Sequence, residues 1–156
     1  MVNTKNQQGF TYLIALFMVA TLSIVTLRAM ENSLTKDRRA KEEQLLFVGQ
    51  AYQQAIMTYY QTIPGSKTFP PDLATLVEPD TRTSTRHVAL RKLYFDPITG
   101  TQDWLLIKDP KTGGVMGVSS TSLQQPIKVN GFPPTLSNLI GAKTYQQWQF
   151  VYQPST

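Results

Sequence analysis

NQQGFTYLIALFMVATLSIVTLR, residues Asn6 to Arg28, decides how the rest of the chain is read. A polar stub and one glycine stand before eighteen uncharged residues, Phe10 to Leu27. As a helix that run is about 27 Å long, close to the roughly 30 Å hydrocarbon core of a bilayer. A cleavable secretion signal has a shorter apolar region, about 7 to 15 residues, followed by small residues at the cut. Here the run leads into Thr26-Leu27-Arg28-Ala29-Met30-Glu31, which offers no such site. The expectation is a retained transmembrane segment over 10–27.

The helix is expected to continue past it. From Arg28 to Thr62 there is no proline, and the only glycine is Gly49. Leu45, Val48, Tyr52, Ala55 or Ile56, and Tyr59 recur at steps of three and four, which draws one apolar stripe along a helix. That spacing makes the tyrosines at 52 and 59, with Tyr60, core residues rather than a cofactor box. Pro64-Gly65 stops the helix. A continuous helix from Phe10 to Gln61 is roughly 75 Å long.

Composition narrows the function classes. The 156 residues are 41% apolar and only 16% charged, against roughly 25% charged in soluble domains. There is no cysteine, so a disulfide framework, a thiolate zinc site and a cysteine nucleophile are excluded. The net charge of +5 comes from scattered bases. The one basic run, Lys36-Asp37-Arg38-Arg39-Ala40-Lys41, is diluted at once by Glu42 and Glu43. It reads as a solvated helix face with pairs four apart, Asp37 with Lys41 and Arg38 with Glu42, and no nucleic-acid partner is expected. All ten acids lie at or before Asp109. Calcium needs several carboxylate oxygens, and the last third of the chain supplies none.

Residues 63–156 read as a small head. In FPPDLATLVEP, Phe69 to Pro79, Pro70-Pro71 and the spacing of Leu73, Leu76 and Val77 predict one short helix. PDTRTSTRH is a polar loop. Two turn signals follow, Asp96-Pro97-Ile98-Thr99-Gly100 and Asp109-Pro110-Lys111-Thr112-Gly113-Gly114. Trp104 to Lys108 and Val115 to Ser119 are the antiparallel strands they imply. Tyr145 to Tyr152 is expected as a last strand, with Trp148 and Phe150 on one face and Val151 on the other. Packing by Pro126, Phe132, Pro133, Pro134 and Leu136 is the expected stabiliser of the C-terminal loop. Nothing here builds a catalytic site. His87 is a lone histidine beside Arg86 and Val88; Ser119, Ser120 and Ser122 lack a G-x-S-x-G turn; Gly113-Gly114 is too short to cradle phosphate. Neither an enzyme nor a cofactor is expected.

Gly9-Phe10-Thr11 placed before an apolar helix resembles the N-terminal signal of type IV pilins and type II secretion pseudopilins. Leu93-Tyr94-Phe95-Asp96-Pro97 with Gly100 and Trp104 resembles the pseudopilin turn that leads into the first strand. The resemblance implies a pilin-like α+β fold: a long N-terminal α-helix, transmembrane in its first half, packed on a small antiparallel β-sheet head. It implies a leader at 1–9, the transmembrane segment at 10–27, the periplasmic half of the helix at 28–62 and the head at 63–156. A prepilin peptidase cuts between Gly9 and Phe10 and methylates Phe10. Phe10, Tyr12, Ile14, Ala15, Leu16 and Phe17 then pack the helices of a filament, while Leu45, Val48, Tyr52, Ile56 and Tyr59 pack helix on head. Implied partners are the prepilin peptidase, other pseudopilins or pilins, an inner-membrane assembly platform and membrane lipid. Implied location is the inner membrane of a Gram-negative bacterium, single-pass, with the head in the periplasm.

Two features depart from that pattern. Most members carry a glutamate as the fifth residue after the cut; here it is Ile14, or Ala15 if Tyr12 is an insertion. Such a carboxylate in an apolar bundle acts as a registration device, and its loss leaves a tip or priming position, or assembly by apolar contact alone. The positive-inside rule also points the other way. Arg28, Lys36, Arg38, Arg39 and Lys41 outnumber Lys5, which places the head in the cytoplasm. Three functions remain open: a structural subunit of a type II secretion pseudopilus, a minor type IV pilin for priming, adhesion or DNA uptake, and an anchored module that never polymerises.

Overall fold

The computed structural model describes residues 7–62, 67–77 and 89–154, excepting the side chains at 7–9, 27, 29 and 31. The chain forms two compact units, Met1–Arg38 and Arg39–Thr156. Helix α1 runs Gln7–Thr62, consistent with a stretch free of proline until Pro64. The sheet has three antiparallel strands in the order β1-β2-β3: β1 (Trp104–Lys108), β2 (Val115–Ser120) and β3 (Phe150–Val151).

The long helix and the small antiparallel sheet are both present, but the transmembrane half is not. Among the described residues no helix is long and apolar enough to cross a membrane. The run 10–27 is uncharged but interrupted by Thr11, Thr21, Ser23 and Thr26, which lower its apolarity. The single-pass inner-membrane placement with a periplasmic head, which rested on that segment, is corrected with it.

In the second unit the core forms where the stripe of α1 meets the sheet. Leu45, Tyr52 and Ile56 are fully buried with Val115, Val118, Trp148 and Phe150, and Val48 and Tyr59 nearly so. Tyr52 stands edge-on to Trp104 with ring centroids 5.3 Å apart. Its hydroxyl accepts the Tyr94 N–H at 2.9 Å and donates to the Tyr94 carbonyl at 3.2 Å. Gly49 explains itself here. A Cβ at that position would lie 2.4 Å from the Phe150 ring, so only glycine lets the helix settle onto β3.

The two turn signals share the pattern Asp-Pro-x-Thr-Gly and close in the same way. The N–H of Gly100 returns to the Asp96 carbonyl at 2.7 Å, and that of Gly113 to the Asp109 carbonyl at 2.8 Å. Both glycines have positive φ, 75° and 72°, the left-handed region in which a side chain is strained. Asp109 also accepts the Thr112 N–H and hydroxyl. Asp96 instead turns inward, fully buried, and its second carboxylate oxygen accepts the Ser120 hydroxyl at 2.6 Å. That bond ties the first turn to the end of β2.

Two expected elements differ. The segment predicted as a helix from Phe69 holds, among its described residues, a 3-10 turn, Ala74–Leu76. Asp72 caps its start by accepting the Thr75 N–H and hydroxyl, the bond of a helix N-cap. Tyr145–Gln147 is also a 3-10 turn, so the last strand shrinks to Phe150–Val151. Trp148 is what breaks it. Its indole is fully buried edge-on against Tyr145 and Phe132, with both centroids at 5.4 Å, and its ψ of 83° leaves the strand region.

Candidate functional site

The first unit presents an apolar surface. Phe10, Leu13, Phe17, Val19, Leu22 and Val25 are each between 64% and 71% exposed, and Ile14 is 44% exposed. These positions fall on every side of the helix. A helix that is apolar all round is one that other structure covers. Its polar side chains fit that environment. Thr21 donates to the carbonyls of Phe17 and Met18, Ser23 to that of Val19 and Thr26 to that of Leu22. Each hydroxyl is therefore satisfied by its own helix, and a partner that offers no hydrogen bond costs these groups little.

Among the expected packing residues, Phe10, Tyr12, Leu16 and Phe17 are strongly exposed, and Ala15 is exposed too. Gly9 and Phe10, the expected cut, lie within the first turn of α1. No acid occurs between residues 10 and 30, so this surface offers no carboxylate for an incoming amine. His87 lies outside the described residues. Among the described residues no group of three or more His, Cys, Asp or Glu could hold a metal.

Glu42 is the residue that the sequence reading misplaced. It was expected on a solvated face, paired with Arg38, yet it is 3% exposed. Its carboxylate accepts the backbone N–H groups of Ile127 and Lys128 and, at 2.9 Å, the Tyr145 hydroxyl. The expectation of packing alone in the C-terminal loop is incomplete for this reason. Pro126 and Leu136 are buried as expected, while Pro133 and Pro134 are exposed. A signal existed: Glu42, Leu45, Gly49, Tyr52 and Ile56 step by three, four, three and four, so the buried stripe begins one place earlier than its first apolar member. Beside Glu42 is a cleft of about 370 Å³ lined by Arg39, Glu43, Leu46, Lys128, Val129 and Asn130. A second groove, about 470 Å³, runs past Phe47, Gln50, Gln54, Met57 and Tyr152.

Elsewhere the titratable groups serve the fold. Burial pushes the Tyr52 phenol above its ordinary value, against the lowering effect of its bond to Tyr94. The Thr75 hydroxyl and N–H hold Asp72 below the usual carboxylate range. The Thr112 hydroxyl does the same for Asp109.

No family model matches the chain, and no curated protein and no solved structure matches it.

Proposed function

We propose that the chain is a pilin-like filament subunit, of the kind found in type II secretion pseudopili, that assembles by packing residues 10–26 of α1 against the same surface of neighbouring subunits. The observation that carries this reading is the all-round apolar exposure of that stretch, together with hydroxyls already satisfied by their own helix. The magnitudes are adequate. Burying one leucine, isoleucine or phenylalanine contributes about 1.5–3 kcal/mol. Association costs on the order of 4–15 kcal/mol in lost freedom, so a handful of such residues offsets it. With Ile14 and Ala15 in place of an acid, recruitment proceeds through apolar contact. The leader cut after Gly9 belongs to the same proposal.

The chain has no cysteine, so a single introduced thiol reports contacts without background. Phe17→Cys in the full chain, treated with a short thiol crosslinker, is expected to give dimers, and a pair such as Phe17→Cys/Leu22→Cys a ladder of higher species. The intact mass from the native host is expected to begin at Phe10 with one added methyl. A chain that stays monomeric to crosslinking at every tested position in 10–26 would sink the filament reading and leave a module that does not polymerise.

A further inference from the structure

Residues 121–133 connect β2 to the turn that begins at Pro134 and have no regular secondary structure. A connection of that length inside a compact unit usually has ties of its own. Its ends are held by ordinary backbone bonds, Gln146 N–H to the Ser122 carbonyl and Gly141 N–H to that of Val129. At Ile127 and Lys128 it is held by a side chain from a distant element. The Glu42 carboxylate receives the successive N–H groups of Ile127 and Lys128, with the Tyr145 hydroxyl as a third donor. Successive backbone N–H groups on one anion form a nest. A carboxylate with 3% exposure is tolerable only because donors replace its water, and all three donors are neutral.

We infer that Glu42 is a carboxylate latch that fastens the strap 121–133 onto α1. The strap itself holds neither acid nor cysteine, so it cannot be closed by a carboxylate-rich calcium site or a disulfide of its own. The helix supplies the charge instead. The latch holds Ile127 along the cleft that Leu46 also lines. The other charged groups on that cleft are Arg39, Glu43 and Lys128. The latch operates whether or not the chain assembles.

Amide hydrogen exchange on the full chain tests it. Glu42→Gln keeps the shape and removes the charge. The Ile127 and Lys128 amides are expected to exchange roughly ten- to a hundredfold faster, the range set by losing hydrogen bonds to a charged acceptor. The Val118 amide should keep its wild-type rate, and Glu43→Gln should leave all of them unchanged. Tyr145→Phe removes one donor and spares the nest, so a rise of a few-fold is expected. Wild-type rates at both strap amides in Glu42→Gln overturn the latch. Should that variant not fold, Tyr145→Phe decides: faster strap exchange supports the latch and wild-type rates overturn it. Calcium chloride alone slowing these two amides in the wild-type chain also overturns it, since the clamp would then be a metal.

Discussion

Tyr52 shows how much one side chain can organise. Its hydroxyl closes both polar groups of the Tyr94 backbone, and the same Tyr94 carbonyl also accepts the Trp104 indole N–H at 3.0 Å. Tyr52→Phe leaves the Tyr94 N–H without that acceptor. The expected loss is about 1–2 kcal/mol, the range for an orphaned donor, read as a lower urea midpoint at unchanged slope. Burial raises the Tyr52 pKa in the folded chain, which fixes the sign of its pH dependence. The unfolded chain ionises this phenol near pH 10 while the folded chain keeps its proton. Its contribution is therefore whole below about pH 10 and lost as pH rises from there through the folded value. Unfolding midpoints measured across the alkaline range should fall in wild type and fall less in Tyr52→Phe. Equal slopes in both would remove Tyr52 as the cause.

Between elements, the contact to test is α1 on β3. Helix propensity alone says that Gly49→Ala stabilises α1 by up to about 1 kcal/mol. The Cβ would stand 2.4 Å from the Phe150 ring, and overpacking of this kind costs about 1–3 kcal/mol. The clash is expected to win, lowering stability by about 1–2 kcal/mol net, with recovery when Phe150→Leu is added. A more stable Gly49→Ala chain would show that helix and strand have room to part. The edge of β3 is guarded as well. The carbonyls of Gln149 and Val151 receive the Asn138 and Gln53 side-chain amides, each at 2.7 Å, which blunts an edge that could otherwise pair with another strand. These elements differ in how far the sequence betrays them. The hairpin was legible because Asp-Pro-x-Thr-Gly encodes its turns within five residues. The strand expected over Tyr145–Tyr152 was not, because Tyr145 answers to Glu42 and Trp148 to Phe132. Alternating hydrophobicity carries no trace of those distant partners.

For the whole molecule, the legible part of the proposed site was its apolarity, and the misread part was what covers it. Eighteen uncharged residues from Phe10 to Leu27 suggest lipid by length and composition alone, yet among the described residues no helix is long and apolar enough to cross a membrane. Under the proposed assembly this exposed surface packs on other subunits, which separates the two units experimentally. Leu13→Gln, Phe17→Gln and Ile24→Gln together alter side chains that are 60% to 71% exposed. Substitutions at exposed positions rarely change folding stability by more than about 0.5 kcal/mol each. The triple variant is therefore expected to sediment as a monomer where wild type assembles, while the thermal transition reported by Trp104 and Trp148 fluorescence stays in place. Persistent assembly in the variant would move the interface elsewhere, with the groove beside exposed Phe47 the next surface to test. A transition that shifts down by many degrees would make residues 13–24 part of the fold itself, and the filament proposal would lose its free surface.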